Sequence, residues 1–261
     1  MQDAILKINH LTVAVQEFNK ETLLVNDLNL EIPRNRITAL VGSSGSGKTT
    51  TGLAILRLLP QALYMKKGAI VWEGQDLMNL SENQMRLMRG KKIGMVFQEP
   101  LNAFNPVFTI GFQIGEVLKQ HTTLSGPKIN DEIVRLLTTV GVDDPPRILN
   151  SYPYQLSGGL RQRAMIAQAI AASPSLIIAD EPTSNLDVTL QAHIMELFRK
   201  LRDELKMTIL LISHDLGMVV HLAEQVAILA NGRMVESGET KSIWQHPRHP
   251  FTQQLKQKMV I

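Results

Sequence analysis

GSSGSGKT, residues 42–49, is the stretch on which the reading of this chain turns. It fits the phosphate-loop pattern G-x-x-x-x-G-K-[ST], with an additional glycine at Gly45. Such glycines let the backbone curl until successive N–H groups point at phosphate oxygens. A helix opening at the lysine adds the positive end of its dipole. In this pattern Lys48 reaches the β- and γ-phosphates of a nucleotide, and the Thr49 hydroxyl ligates Mg²⁺. Gly42, Ser43, Ser44, Gly45, Ser46, Gly47, Lys48, Thr49 and Thr50 are therefore the candidate nucleotide-binding residues. The alternative is a Gly/Ser-rich turn that matches by chance. The flanks argue against it: 37–41 is a short apolar run expected to be a buried strand, and 48–59 reads as a helix stopped by Pro60.

A phosphate loop needs a carboxylate for its metal. LIIADE, residues 176–181, supplies apolar strand residues followed by Asp180 and Glu181. Asp180 would hold Mg²⁺, through water, and Glu181 would polarise the attacking water, as a general base or by orienting it. Taken alone, two carboxylates at a strand end read better as a helix N-cap; beside residues 42–49 the metal reading prevails. A second anion grip follows the middle of the chain. LSGGLRQR, residues 156–163, combines a hydroxyl, two glycines and a basic helix start.

Bulk properties narrow the class. The 261 residues allow one good core, with room for a subdomain. A hydrophobic fraction of 44% and a charged fraction of 20% are those of a soluble globular protein. The net charge of +3 is too mild to argue for nucleic acid. With no cysteine, disulfides, thiolate zinc sites and cysteine-held iron–sulfur clusters are excluded. No stretch reaches the roughly 20 apolar residues of a bilayer span; the most apolar, 165–179, is broken by Gln168 and by Ser173-Pro174-Ser175. The amino terminus has no signal-peptide plan.

Periodicity gives the frame. Strands are expected at 5–15 and 23–32, with the polar QEFNKE between them, and at 69–72 and 93–97. From Glu99 to about Gln155 prolines and helix-like segments at 110–120 and 128–140 indicate an inserted helical subdomain. Alternation then returns: a helix at 160–172, a strand at 176–179, and an amphipathic helix carrying Ile194, Leu197, Phe198, Leu201 and Leu205. A strand at 207–212 follows, then a hairpin turning at Asn231-Gly232. The last stretch, from His246, reads as a short polar tail.

The phosphate loop, Gln98 after an apolar run, LSGGLRQR, LIIADEPTSNLD and then SHD at 213–215 occur in an order that resembles the nucleotide-binding subunits of ABC transporters. The resemblance covers about residues 5–240 and most of the tail. It implies an α/β fold: a P-loop NTPase (RecA-like) core with an N-terminal antiparallel β subdomain and an inserted α-helical subdomain. The nucleotide-binding domain would occupy 1–245, its helical insertion about 99–155, and the tail 246–261. ATP and Mg²⁺ are the implied cofactors, and ATP hydrolysis the implied activity.

The resemblance also implies why one chain has two grips. In the family two subunits pack head to tail, and Ser157, Gly158 and Gly159 of one would cover the γ-phosphate held by the other. Arg161 and Gln162 would orient the helix behind them. Gln98 resembles the glutamine near Mg²⁺ at the hinge of the helical subdomain. His214 resembles the switch histidine that contacts the γ-phosphate, and Asp187 the aspartate that links the two sites. Asn185 stands where the family commonly has alanine. Phe18 is the candidate for the family's adenine-stacking aromatic and reads equally well as an exposed loop phenylalanine; Val15 is the other residue that could stand at the aligned position. Arg34-Asn35-Arg36 replaces a glycine–glutamate pair common in the family.

A finer similarity concerns FQEPLNAFNPVFTIGFQI at 97–114, SYPYQLSGG and HPRHPFTQQL at 246–255. These resemble the peptide and nickel importer branch. It implies two membrane permease subunits, a second, identical or related ATPase subunit, and an extracytoplasmic substrate-binding protein. The subunit would sit on the cytoplasmic face of the membrane without spanning it and without nucleic acid. Residues 101–108 are candidate permease contacts, or simply pack the helical subdomain. The absence of a cysteine-rich tail tilts the cargo toward nickel among peptides, nickel and metal–chelator complexes. An ABC exporter ATPase and a soluble ABC ATPase outside transport remain the alternatives. A GTPase would need N-K-x-D, which is absent, and neither it nor a small-molecule kinase has a place for LSGG.

Overall fold

The computed structural model describes residues 3–17, 20–184 and 186–257. Along the chain lie β1 (Ala4–Glu17), β2 (Lys20–Pro33), β3 (Ile37–Gly42), α1 (Lys48–Ile55), β4 (Leu63–Trp72), β5 (Gln75–Asp76), α2 (Glu82–Met88) and β6 (Ile93–Val96). The helices α3 (Pro100–Ala103), α4 (Ile110–His121), α5 (Pro127–Thr139), α6 (Pro145–Leu149) and α7 (Gly158–Ile170) follow. Then come β7 (Leu176–Asp180), α8 (Val188–Leu205), β8 (Thr208–Ser213), α9 (Leu216–Leu222), β9 (Gln225–Ala230), β10 (Arg233–Glu239), α10 (Thr240–Gln245) and α11 (Pro250–Gln257). The chain divides into two compact units, Met1–Arg86 with Met207–Ile261, and Leu87–Lys206.

In the first unit one antiparallel sheet has the order β2-β1-β4-β5. The ladder between β1 and β2 runs to the pair Glu17–Lys20, so the expected polar loop is largely strand. In a second set of strands β3 lies between β8 and β9 and is parallel to both, and β9 returns antiparallel as β10. Every residue of β3 and of β8 is buried, which is why each reads as an unbroken apolar run rather than an alternation. The β9–β10 turn is the expected two-residue one, with Asn231 at φ 49° and Gly232 at φ 76°, both left-handed as a type I′ turn requires.

Helix α1 ends at Ile55, short of Pro60. Arg57 takes φ 53°; its N–H donates to Ala54 O, and that of Leu58 donates to Leu53 O. This is a Schellman-type stop with arginine in place of the usual glycine. The Arg57 guanidinium donates to Leu77 O and Leu80 O at 3.3 and 2.6 Å, which holds the turn. Asn35 at φ 53° explains the Arg-Asn-Arg departure between β2 and β3: the position is left-handed, and asparagine tolerates what glycine usually supplies. The stretch read as a polar tail contains α11.

The second unit pairs β6 with β7 in parallel, Ile93 opposite Leu176 and Val96 opposite Ala179. Between β6 and α7 the described elements are helical. Helix α8 buries Ile194, Leu197, Phe198 and Leu201, as its period requires. Leu205, expected on the same face, is exposed, because the helix stops there and Lys206 turns left-handed at φ 53°. No described helix is long and apolar enough to cross a membrane.

Candidate functional site

The first grip is in the first unit, between β3 and α1. Gly42 ends β3 against β9: a Cβ there would meet Leu229 O at 2.3 Å. Gly47 caps α1 at φ 98°, and a Cβ there would meet Leu24 O at 2.6 Å. Both glycines are thus required by packing, and Gly47 by backbone shape as well. Ser43, Ser44 and Gly45 are exposed. Lys48 is only 6% exposed; its ammonium donates to Gly42 O at 2.8 Å and Ser43 O at 3.0 Å, which folds its stem under the loop. The Ser46 hydroxyl is buried without a hydrogen-bond partner. Thr49 is exposed and Thr50 half-buried, while the Thr51 hydroxyl donates to Gly47 O at 2.8 Å. No side chain caps α1 and its first turn has no acid, so its positive end is directed into the loop uncancelled.

His214 is exposed in the same unit, between β8 and α9. Asp215 holds that corner. Its carboxylate accepts from Met218 N at 3.1 Å, and its N–H donates to Ser213 Oγ at 2.9 Å. Val15 is half-buried in β1, opposite Thr22 and Leu63. Phe18 and Asn185 lie outside the described residues.

The second unit carries Asp180 and Glu181 at the end of β7, 2% and 8% exposed. The apolar run that made β7 legible delivers both carboxylates to its carboxyl end. Glu181 stands at φ 46°, a left-handed conformation that costs a non-glycine residue about 1–2 kcal/mol. Its carbonyl accepts from Ser184 N at 3.0 Å, closing a tight turn. The Ser184 hydroxyl donates at 3.3 Å to the carbonyl of Gln98, which is exposed past the end of β6. Ser184 was not singled out from the sequence; its place inside PTSNLD was the available signal.

Ser157 caps α7, accepting from Leu160 N at 3.4 Å, and that helix also lacks an acid in its first turn. The two glycines differ. A Cβ on Gly159 would lie 3.1 Å from both methyls of Leu190 on α8, whereas a Cβ on Gly158 would meet nothing within 4 Å. Gly159 therefore packs the helix, and among the described residues nothing lies close enough to demand glycine at 158. Arg161 is half-buried; Gln162 is 2% exposed with its amide nitrogen unpartnered. Asp187 caps α8 through Leu190 N at 2.9 Å.

The grip fits a triphosphate: it has a buried lysine, an uncapped helix start, exposed loop residues and an orphaned buried hydroxyl. Among the described residues no group of three or more His, Asp or Glu side chains is placed to hold a metal ion. A Mg²⁺ bound by a few side chains takes its other ligands from phosphates and water.

Comparison with known proteins shows the family. Residues 25–184 match the family model described as ABC transporter. The chain is 42% identical over 249 residues to the oligopeptide transport ATP-binding protein OppD of Bacillus subtilis, covering 95% of this chain and 70% of that one. It is 44% identical over 261 residues to a protein of Brucella ovis named, provisionally, as a peptide import ATP-binding protein, covering 98% of this chain and 77% of that one. Among solved structures it is similar to the ATP-binding cassette MJ0796, a dimer in a post-hydrolysis state bound to ADP and Pi. There the TM-score is 0.81 at 26% identity, with 90% of this chain and 98% of that one covered. The chain belongs to the ABC transporter family, as one of its ATP-hydrolysing cassettes.

Proposed function

We infer that this cassette drives the import of peptides through separate membrane permease subunits. The observation that carries the reading is the inequality of the two signature glycines: Gly159 is consumed by packing on Leu190, while Gly158 faces open space. An open glycine beside the Ser157 cap suits the close approach of a phosphate held by another subunit. The dimeric state of MJ0796 supports the same reading.

In this reading the loop amides of 42–47 and the start of α1 cradle the phosphates, and Lys48 leaves its two carbonyls to neutralise the β- and γ-oxygens. Thr49, Asp180 and Gln98 are the residues that would hold Mg²⁺, which when bound would offset the negative charge of the phosphates. Glu181 polarises the water that attacks the γ-phosphorus; the bond to the β,γ-bridging oxygen breaks, leaving ADP and phosphate. His214 contacts the γ-phosphate and helps place that water. Ser157, Gly158 and Gly159 of a second cassette, identical or related, close the site. Loss of the γ-phosphate removes their ligand and opens the interface.

Peptides are the proposed cargo because the relatives compared above are named for peptides, not for nickel. The partners are two permease subunits and an extracytoplasmic binding protein, and the cassette is held at the cytoplasmic face by the permeases. The helical stretch 99–155 would receive a permease segment. Affinity purification of the tagged chain from native membranes tests this. Two permeases, a second cassette and a binding protein are expected; recovery of an exporter-type membrane subunit, or of no membrane protein, overturns the import reading.

A further inference from the structure

A stiff turn leads into the signature helix α7. Pro153–Gln155 forms one turn of 3-10 helix, with Pro153 and the following Leu156 both buried. Gln155 N and Leu156 N donate to Tyr152 O and Pro153 O at 3.0 and 3.3 Å, and the Gln155 side chain accepts from Tyr152 N at 2.8 Å. Two tyrosines stand on this turn. Their rings are stacked, with centroids 5.6 Å apart and planes 13° from parallel. Tyr152 is half-buried and Tyr154 is 64% exposed. One face of the Tyr154 ring therefore lies on Tyr152 and the other is in solvent. Tyr154 is also the exposed ring nearest in sequence to Ser157 and the open Gly158.

A single exposed aromatic is ordinary. A ring already ordered by a stack and a pinned turn is different, because little freedom is lost when a flat ligand covers it. In the head-to-tail reading Ser157 and Gly158 meet the γ-phosphate held by a second cassette. The sugar and base of that nucleotide lie beyond its phosphates, on surface flanking the signature. On the nucleotide's own side the sheet face beside the phosphate loop is aliphatic. A Cβ on Gly47 would meet Val25 Cγ2 at 3.0 Å. Val25 is opposite Val13, and Val13 is opposite Met65. Two residues along β1, hence on the same face, Val15 lies between Thr22 and Leu63. Val15, Leu63 and Met65 are half-buried. These two rows offer a base apolar area but no ring to stack on.

We propose that Tyr154 stacks on the base of the nucleotide held by a second cassette, which places that base between this ring and the aliphatic face around Val15. The proposal rests on the head-to-tail reading and adds a base contact to its phosphate contacts. Base–aromatic stacking needs only a π-face, which the exposed side of Tyr154 supplies.

Photolabelling with 8-azido-ATP and steady-state hydrolysis by the assembled transporter test it. In the assembly label should appear on residues 152–156; in the lone chain it should be absent there. Tyr154→Ala should raise the KM for ATP about tenfold, within the range for one base on one aromatic ring, while kcat changes less than about twofold, the pattern of a binding contact rather than a chemical one. Tyr154→Phe keeps the ring and should restore the parent KM. Affinity of the lone chain for a fluorescent ATP analogue should be the same with and without Tyr154→Ala, which a general loss of folding would not allow. An unchanged KM in Tyr154→Ala, or label confined to β1 and β2, overturns the proposal. Ser157→Arg in the same assembly separates the two readings. If it abolishes turnover while Tyr154→Ala leaves KM untouched, the stacking alone is wrong; if it leaves turnover intact, the head-to-tail reading falls as well.

Discussion

The Ser184 hydroxyl donates to the carbonyl of Gln98 at 3.3 Å, tying the turn that follows the β7 carboxylates to the segment that leaves β6. The bond is long and Ser184 only half-buried, so Ser184→Ala should cost less than about 1 kcal/mol of stability. Its effect should be local. Hydrogen exchange at amides around Gln98 should quicken in the variant while the core strands keep their protection. Unchanged exchange there would mean the bond does not restrain the segment.

The two signature glycines give a sharper contrast. Gly159→Ala puts a methyl 3.1 Å from the half-buried Leu190, which must yield by a few tenths of an ångström, so this variant should be less stable than Gly158→Ala by about 1 kcal/mol. Gly158→Ala meets open space and should leave thermal stability near that of the parent. If Gly158 faces the nucleotide of a second subunit, the same change should slow turnover in the assembled transporter. Equal stability losses in both variants would contradict the packing described here.

Ser157→Arg separates the two grips in a different way. It places a bulky charge at the α7 start and should abolish turnover of the assembly, while ATP affinity of the lone chain stays within about twofold of the parent if the signature serves only a second subunit's nucleotide. Equilibrium binding of a fluorescent ATP analogue to the monomer measures this. A large loss of affinity would place the signature on the chain's own nucleotide.

Glu181 joins chemistry to strain. Glu181→Gln should keep ATP binding, slow hydrolysis at least about 100-fold, the lower range for loss of a general base, and trap a closed dimer detectable by size-exclusion chromatography. The backbone makes a separate prediction. At φ 46° glycine is unstrained and alanine is not, so Glu181→Gly should be more stable than Glu181→Ala by about 1 kcal/mol. That reverses the usual order, in which glycine is the less stable, and chemical denaturation of the two variants decides it.

Much of this could be read from the residues because the governing patterns are local. The 37–49 run shows a buried parallel strand, a loop and a helix start in a few residues, and Asn231-Gly232 names its turn. What stayed hidden depends on distant partners. Nothing near Gly159 announces Leu190, and nothing near Arg57 announces Leu77 and Leu80, whose carbonyls let an arginine end α1 ahead of Pro60. The left-handed Glu181 was equally invisible, since propensity disfavours it and the surrounding fold imposes it. The residues after His246 are mostly polar and place one apolar pair, Phe251 and Leu255, at helical spacing, too short a pattern to announce α11.

Glu236 supplies what that missing pattern could not. Its carboxylate accepts from Arg248 N at 2.9 Å and His249 N at 3.1 Å, pinning to β10 the residues that enter α11. Burial works to raise its pKa, but the hydrogen bonds it accepts together hold it below the ordinary glutamate value of 4.5. A carboxyl depressed in the folded state stabilises fully above its unfolded value and loses that contribution as pH falls through the folded one. The anchor should therefore be complete at neutral pH and fail only below about 4.5. Glu236→Gln removes the ionisable group but leaves an oxygen that accepts more weakly. At pH 7 its melting temperature should lie below the parent's, and amides of 248–252 should exchange faster. As pH drops below about 4.5 the difference should narrow, because the parent carboxyl then protonates and accepts no better than the amide. A gap that stays constant to pH 3 would show that the carboxylate charge contributes nothing to holding α11.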